Sequence, residues 1–136
     1  MKICCFITAL LFASLALGGT PWKLKLSNPN EKIDFHINLH NESIEVPGME
    51  VLGRMHGYLG GQGVYGVWMV TSFKVLSPQE ARIRLSNDLG SETQTIRLVQ
   101  QTDSTYLFEQ ISGTTIKRVV NRKLVKIPPK LVFTNK

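Results

Sequence analysis

The chain has no cysteine apart from Cys4 and Cys5, both within its first 18 residues. A disulfide framework and a cysteine nucleophile are therefore excluded for the rest of it. Outside that start, no apolar run approaches the ~20 residues that a membrane-crossing helix needs. Acidic residues stop at Glu109, and residues 112–136 carry seven Lys or Arg with no acid, a local charge of +7. The phosphate-binding loop, the dinucleotide fingerprint, the HExxH pair, the Gly-x-Ser-x-Gly elbow and the Ser-x-x-Lys arrangement are all missing. Their absence removes the common signatures of nucleotide, zinc-peptidase and serine chemistry, and no catalytic residue, cofactor or metal is assigned.

The first 18 residues combine Lys2, an apolar core over residues 3–17 and the small-residue site Ala16-Leu17-Gly18. This is the anatomy of a secretory signal peptide, with cleavage expected after Gly18, and its core of about 15 residues is too short for an anchor. Gly19, Thr20 and Pro21 follow, so no lipid-bearing cysteine is created. Residues 19–136 then make a single exported domain of 118 residues, periplasmic or extracellular, that is stabilised by its core alone. Residues 19–111 hold eight basic against ten acidic side chains, so the formal net charge of +6 originates in the C-terminal part.

What is present is β-strand pattern. Residues 64–76 (VYGVWMVTSFKVL) form the longest β-branched and aromatic run after the leader, apolar at both parities up to Val70 and alternating beyond it. This predicts a central strand that goes from burial on two faces to burial on one. Trp22, Leu24 and Leu26 alternate with lysines, and Ile33, Phe35, Ile37 and Leu39 alternate with Asp34, His36, Asn38 and His40. Both segments read as half-buried strands. A short strand over residues 41–46 ends at Pro47-Gly48, and residues 49–58 read as another by parity. Seven of eleven glycines fall between Gly48 and Gly66, where they mark bends, bulges or close approaches, and residues 60–63 read as the hairpin connection into the central strand.

Residues 77–90 carry a helix-capping pattern, Ser77-Pro78-Gln79-Glu80 with Gly90 as terminator, yet Ala81, Ile83 and Leu85 alternate with Arg82, Arg84 and Ser86. A strand is preferred over a short helix. Further strands follow at residues 93–100, 105–111 and 115–121, and a last one is cut short by Pro128-Pro129. The whole predicts an all-β, antiparallel barrel or sandwich of about eight strands. Gly66-Val67-Trp68, with the early Trp22, resembles the Gly-x-Trp signature of lipocalin-like barrels. The triplet stands mid-chain rather than in a first strand, and no family is assigned from it.

His36 and His40 lie about 13 Å apart on a strand rising ~3.3 Å per residue, too far for one ion. A metal would need Asp34, Asn38 or His56 from elsewhere, and a polar outer face is the simpler reading. Single carboxylates are scattered along the chain, so a hydrolase with a pair assembled only in space is one alternative. The preferred reading is a non-enzymatic binding protein. Its basic face (Lys117, Arg118, Arg122, Lys123, Lys126 and Lys130, joined by Arg82, Arg84 and Arg97 if those point outward) would engage phospholipid head groups, lipopolysaccharide, a sulfated glycan or a protein partner. Nucleic acid is disfavoured by export and by a lack of interleaved aromatics. The first alternative, ahead of the hydrolase, is carriage of an apolar ligand by Met55, Tyr58, Tyr65, Trp68 and Phe73. Asn41-Glu42-Ser43 matches a glycosylation acceptor, relevant only in a eukaryotic host.

Overall fold

A computed structural model describes residues 22–135, and the predicted leader lies outside the described residues. The period-two patterns become strands β1 (Lys23–Asn28), β2 (Ile33–Asn38), β3 (Ile44–Glu45), β4 (Arg54–Met55), β5 (Gly57–Gly60), β6 (Trp68–Ser77), β7 (Glu80–Asn87), β8 (Thr93–Gln100), β9 (Thr105–Gly113), β10 (Lys117–Val120), β11 (Lys123–Lys126) and β12 (Lys130–Asn135). Eight of these close into an antiparallel barrel in the order β1-β12-β9-β8-β7-β6-β5-β2. The pairs β3–β4 and β10–β11 are two-stranded ribbons outside it. The described residues thus form an all-β, closed barrel, and among them the main sheet has no open edge left for pairing.

The stretch at residues 77–90 is a strand, because Ala81, Ile83 and Leu85 are all needed in the core. The capping-like Pro78-Gln79 forms a two-residue turn between Ser77 and Glu80, which are paired. The central strand begins only at Trp68. Before it, Val64 N–H donates to Gly61 O, and Gly66 takes a φ of +77° that ends any extended run. Within β6, Trp68, Met69 and Val70 are all buried, as two-faced burial requires. A bulge between Val70 and Ser72 then shifts the parity, so that Val70 opposes Leu85 and Phe73 opposes Ile83. Residues 49–58 are not one strand but a 3-10 turn (Glu50–Leu52) followed by β4 and β5. The strand expected to die at Pro128-Pro129 is β11, and β12 resumes beyond the prolines and closes the barrel against β1.

Apolar side chains fill the lumen. Phe35, Phe108 and Phe133, contributed by β2, β9 and β12, meet across it with ring centroids 5.6, 5.5 and 6.4 Å apart. Leu26, Leu59, Ile83, Leu85, Ile96 and Leu98 pack around them, fully buried. An eight-stranded barrel is just wide enough for such a filling. Charged side chains line the outer wall. Arg97 on β8 donates to Glu80 on β7 at 2.7 Å and to Glu109 on β9 at 3.2 Å, and Lys130 on β12 reaches Glu109 at 3.9 Å. This row ties four neighbouring strands from outside.

Replacing Phe108 by Ala would remove the ring at the centre of the lumen, and should destabilise the fold by about 3–5 kcal/mol in chemical denaturation. Alkali should act through Tyr106 and Tyr58. Burial pushes both phenols above the ordinary 10.0, with the Asp34 carboxylate adding to the effect at Tyr58. Their contribution is complete below pH 10.0, where both states are protonated, and is lost as pH rises through the folded-state values. The melting temperature should therefore fall above about pH 10 as the unfolded chain ionises first, and replacing both by Phe should flatten that fall.

Candidate functional site: the β10–β11 ribbon and the cleft beneath it

The two ends of the barrel differ. One end carries the β1–β2 turn (residues 29–32), the β5–β6 loop (61–67), the β7–β8 loop (88–92) and the β10–β11 ribbon. The other carries the polar turn at residues 40–43, Pro78-Gln79, residues 101–104 and both termini of the described chain. Asn41 of the glycosylation triplet is exposed at this second end, where its Oδ1 accepts from Asn38 Nδ2 at 3.0 Å.

The ribbon leaves the barrel through an amide pair, buried Gln94 and half-buried Gln110. Gln94 Nε2 on β8 donates to Gln110 Oε1 on β9 and to Thr114 O, while Gln94 Oε1 accepts from Ser112 N–H. Gln110 Oε1 also accepts from Ile116 N–H, and its Nε2 donates to Pro128 O. Backbone groups that lose sheet partners where the chain exits and returns are thereby satisfied. Ile116 and Ile127, linked by an N–H···O bond of 3.0 Å, plug this end of the core.

Two further clamps fix the base. Tyr65 N–H donates to Lys117 O at 2.7 Å, and Arg118 Nη2 pairs with Glu31 Oε1 at 2.5 Å. Glu31 is held in turn by its N–H to Asn28 Oδ1 and by a close approach of Gly63, where any side chain would strike the Glu31 carbonyl. Beyond the clamps the ribbon stands free. Val119, Val120, Leu124 and Val125 are between 43% and 52% exposed, and Arg122, Lys123 and Lys126 are exposed without an ion pair among the described residues. Tyr65 (60% exposed) and Leu89 (83%) stand at the same end.

The tip is strained. Val120 and Lys123 are paired, so Asn121-Arg122 is a two-residue turn, and both residues have positive φ, 52° and 66°. Such turns ordinarily place glycine second. Arg122 holds a bulky cation at the position where glycine would be stable.

The predicted basic face is therefore divided. Arg122, Lys123, Lys126 and half-buried Lys117 belong to the ribbon, and Arg118 is spent on Glu31. Arg97 and Lys130 belong to the wall row with its two glutamates, and the Arg97 guanidinium is held still more basic by its hydrogen bond to Glu80. Arg82 and Arg84 do point outward from β7, with Arg82 opposite Lys74 and Arg97 and Arg84 opposite Ser72 and Thr95, and they belong to the wall rather than to the ribbon.

The residues proposed for an apolar ligand are dispersed. Trp68 lies in the lumen at the ribbon end, and Phe73 is about 16 Å further along β6, stacked edge-on to His56 at 4.9 Å. Tyr58 is on the outer wall, where its hydroxyl meets His36 Nδ1 at 3.2 Å, Met55 is in the β3–β4 ribbon, and Tyr65 is in an exposed loop. His56 Nδ1 contacts Asn38 O at 3.0 Å, and among the described residues no three His, Cys, Asp or Glu are placed to share a metal.

What the sequence did not reveal is a cleft of about 210 Å³ under the ribbon, bounded by Tyr65, Trp68, Asp88, Glu92, Lys117 and Leu124. Its residues come from four separate segments, and only the bulky apolar residues near Gly66 hinted at it.

Arg122→Gly should stabilise the protein by about 1 kcal/mol in chemical denaturation by relieving the left-handed backbone, the reverse of what loss of a surface contact would do. Comparison with known proteins found no matching family model, no matching curated protein and no matching solved structure.

Proposed function

We propose that this is an exported, non-enzymatic binding protein that docks onto an anionic lipid surface with its ribbon end foremost. The observation that carries the reading is the composition of residues 117–126, KRVVNRKLVK: five cations, no acid, and four apolar side chains left half-exposed. Cations alone would suit a sulfated glycan equally. The interleaved valines and leucine favour an interface that offers phosphates above and hydrocarbon just below. Near such a surface each Lys or Arg contributes ~1 kcal/mol, so Arg122, Lys123 and Lys126 supply about 3 kcal/mol. Partial burial of the four apolar side chains adds a few kcal/mol more.

The rest of the molecule suits peripheral docking. Apolar groups point into the lumen and charges onto the wall, opposite to a membrane-spanning barrel, whose apolar band faces outward. Among the described residues no helix is long and apolar enough to cross a membrane. Asp88 and Glu92, two carboxylates that line one cleft, are both exposed. A general acid needs the desolvation that exposure denies, which supports a binding role over a hydrolytic one.

Sedimentation with phosphatidylglycerol vesicles should retain the protein at low salt and release most of it at high salt, whereas phosphatidylcholine vesicles should retain little. The triple variant Arg122→Glu, Lys123→Glu, Lys126→Glu should lose at least about 100-fold in vesicle affinity with its melting temperature preserved. Retention that neither salt nor the triple variant alters would overturn the reading.

A further inference from the structure

The cleft beneath the ribbon has a composition that surface docking does not use. Trp68, almost wholly buried, closes its floor, and Tyr65 and Leu124 form apolar sides. Asp88 and Glu92 come from the β7–β8 loop, and Lys117 comes from the root of β10. Opposite charges thus face one small apolar-floored space of about 210 Å³ without forming an ion pair with one another.

Each side has reason to accept a partner. Lys117 lines the cleft half-buried and has no ion-pair partner among the described residues. On the other side, Asn87 Nδ2 lies 3.3 Å from Ser91 Oγ and 3.5 Å from Glu92 Oε1, and Asn87 Oδ1 accepts from Glu92 N–H. The loop that presents the carboxylates is therefore preformed. Gly66, which lines the neighbouring cavity, leaves room for the Asp88 carboxylate, since a β-carbon there would stand 3.1 Å from Asp88 Oδ1 on a backbone at φ +77°. Carboxylates beside aromatic rings favour an organic ammonium, by charge and by cation–π attraction.

From this we infer that the cleft binds a compact ammonium–phosphate zwitterion, with the ammonium held by Asp88 and Glu92 against Tyr65 and Trp68, and the phosphate held by Lys117. Phosphoethanolamine and phosphocholine head groups carry that chemistry. The inference rests on the lipid-surface reading and deepens it: the ribbon tip supplies general attraction to anionic lipid, and the cleft selects a zwitterionic head group within the surface.

The test is a titration of the mature protein with soluble phosphoethanolamine and phosphocholine, followed by tryptophan fluorescence and by NMR. Phosphate alone, ethanolamine alone and a neutral monosaccharide serve as comparators. Saturable shifts should appear at Tyr65, Trp68, Asp88 and Glu92, and each half-ligand should bind more weakly than the zwitterion. Asp88→Asn with Glu92→Gln should weaken zwitterion binding about tenfold or more. Lys117→Gln should weaken it similarly while leaving ethanolamine binding unchanged.

The double variant Arg122→Glu, Lys123→Glu, which changes the ribbon tip and leaves Lys126 opposite Lys117 intact, should keep head-group binding although it loses most vesicle affinity, which separates failure of this inference from failure of the surface reading. Absence of cleft shifts at millimolar phosphoethanolamine and phosphocholine, or equal binding of the neutral sugar, would overturn the inference. The preferred head group, primary or quaternary ammonium, is read from the same titration.

Discussion

The Gln94–Gln110 amide pair is the contact on which the departure from a plain barrel depends. A strand that leaves a closed sheet strands its own N–H and C=O groups, and each unsatisfied buried group costs about 1–3 kcal/mol. Here two side-chain amides take over those bonds, from Ser112 and Thr114 on the way out to Ile116 and Pro128 around the return. With the exit satisfied, Ile116 and Ile127 plug the core, and the ten residues 117–126 are released to stand outside it.

Electrostatics divide along the same line. On the wall, Arg97 and Lys130 are neutralised by Glu80 and Glu109, and that row works as structural bracing between strands. At the ribbon, Arg118 is neutralised by Glu31, which clamps the base, and among the described residues the tip cations have no ion-pair partner. The left-handed Arg122 makes the same point in backbone terms. A turn optimised for stability would hold glycine at that position, whereas this one keeps a cation where only the tip can present it. Strain, free charge and exposed valines thus coincide in one small element.

Much of this was legible from one dimension. The alternation of Ile33, Phe35 and Ile37, and of Ala81, Ile83 and Leu85, dictates strands, because side chains on a strand alternate faces and only one face was apolar. The excess of cations after residue 112 marked the region that forms the ribbon. Less legible was anything that depends on interruption. The bulge after Val70, the strand resumed past Pro128-Pro129 and the broken run over residues 49–58 arise where tertiary pairing overrides local pattern.

By itself, then, the sequence determined the all-β class, the core residues of the cleanly alternating strands and the unbalanced charge, since each follows from the local order of side chains; Tyr65 and Val75, read as part of a buried central strand, are exposed. Only the tertiary structure decided which cations are free, because neutralisation is a matter of reach across strands: Glu31 lies 87 positions from Arg118, and Glu80 lies 17 from Arg97. It also decided that Tyr65, Trp68, Asp88, Glu92 and Lys117 share one cleft. No spacing rule connects them, and they meet because a closed barrel brings the loops of distant strands to the same end.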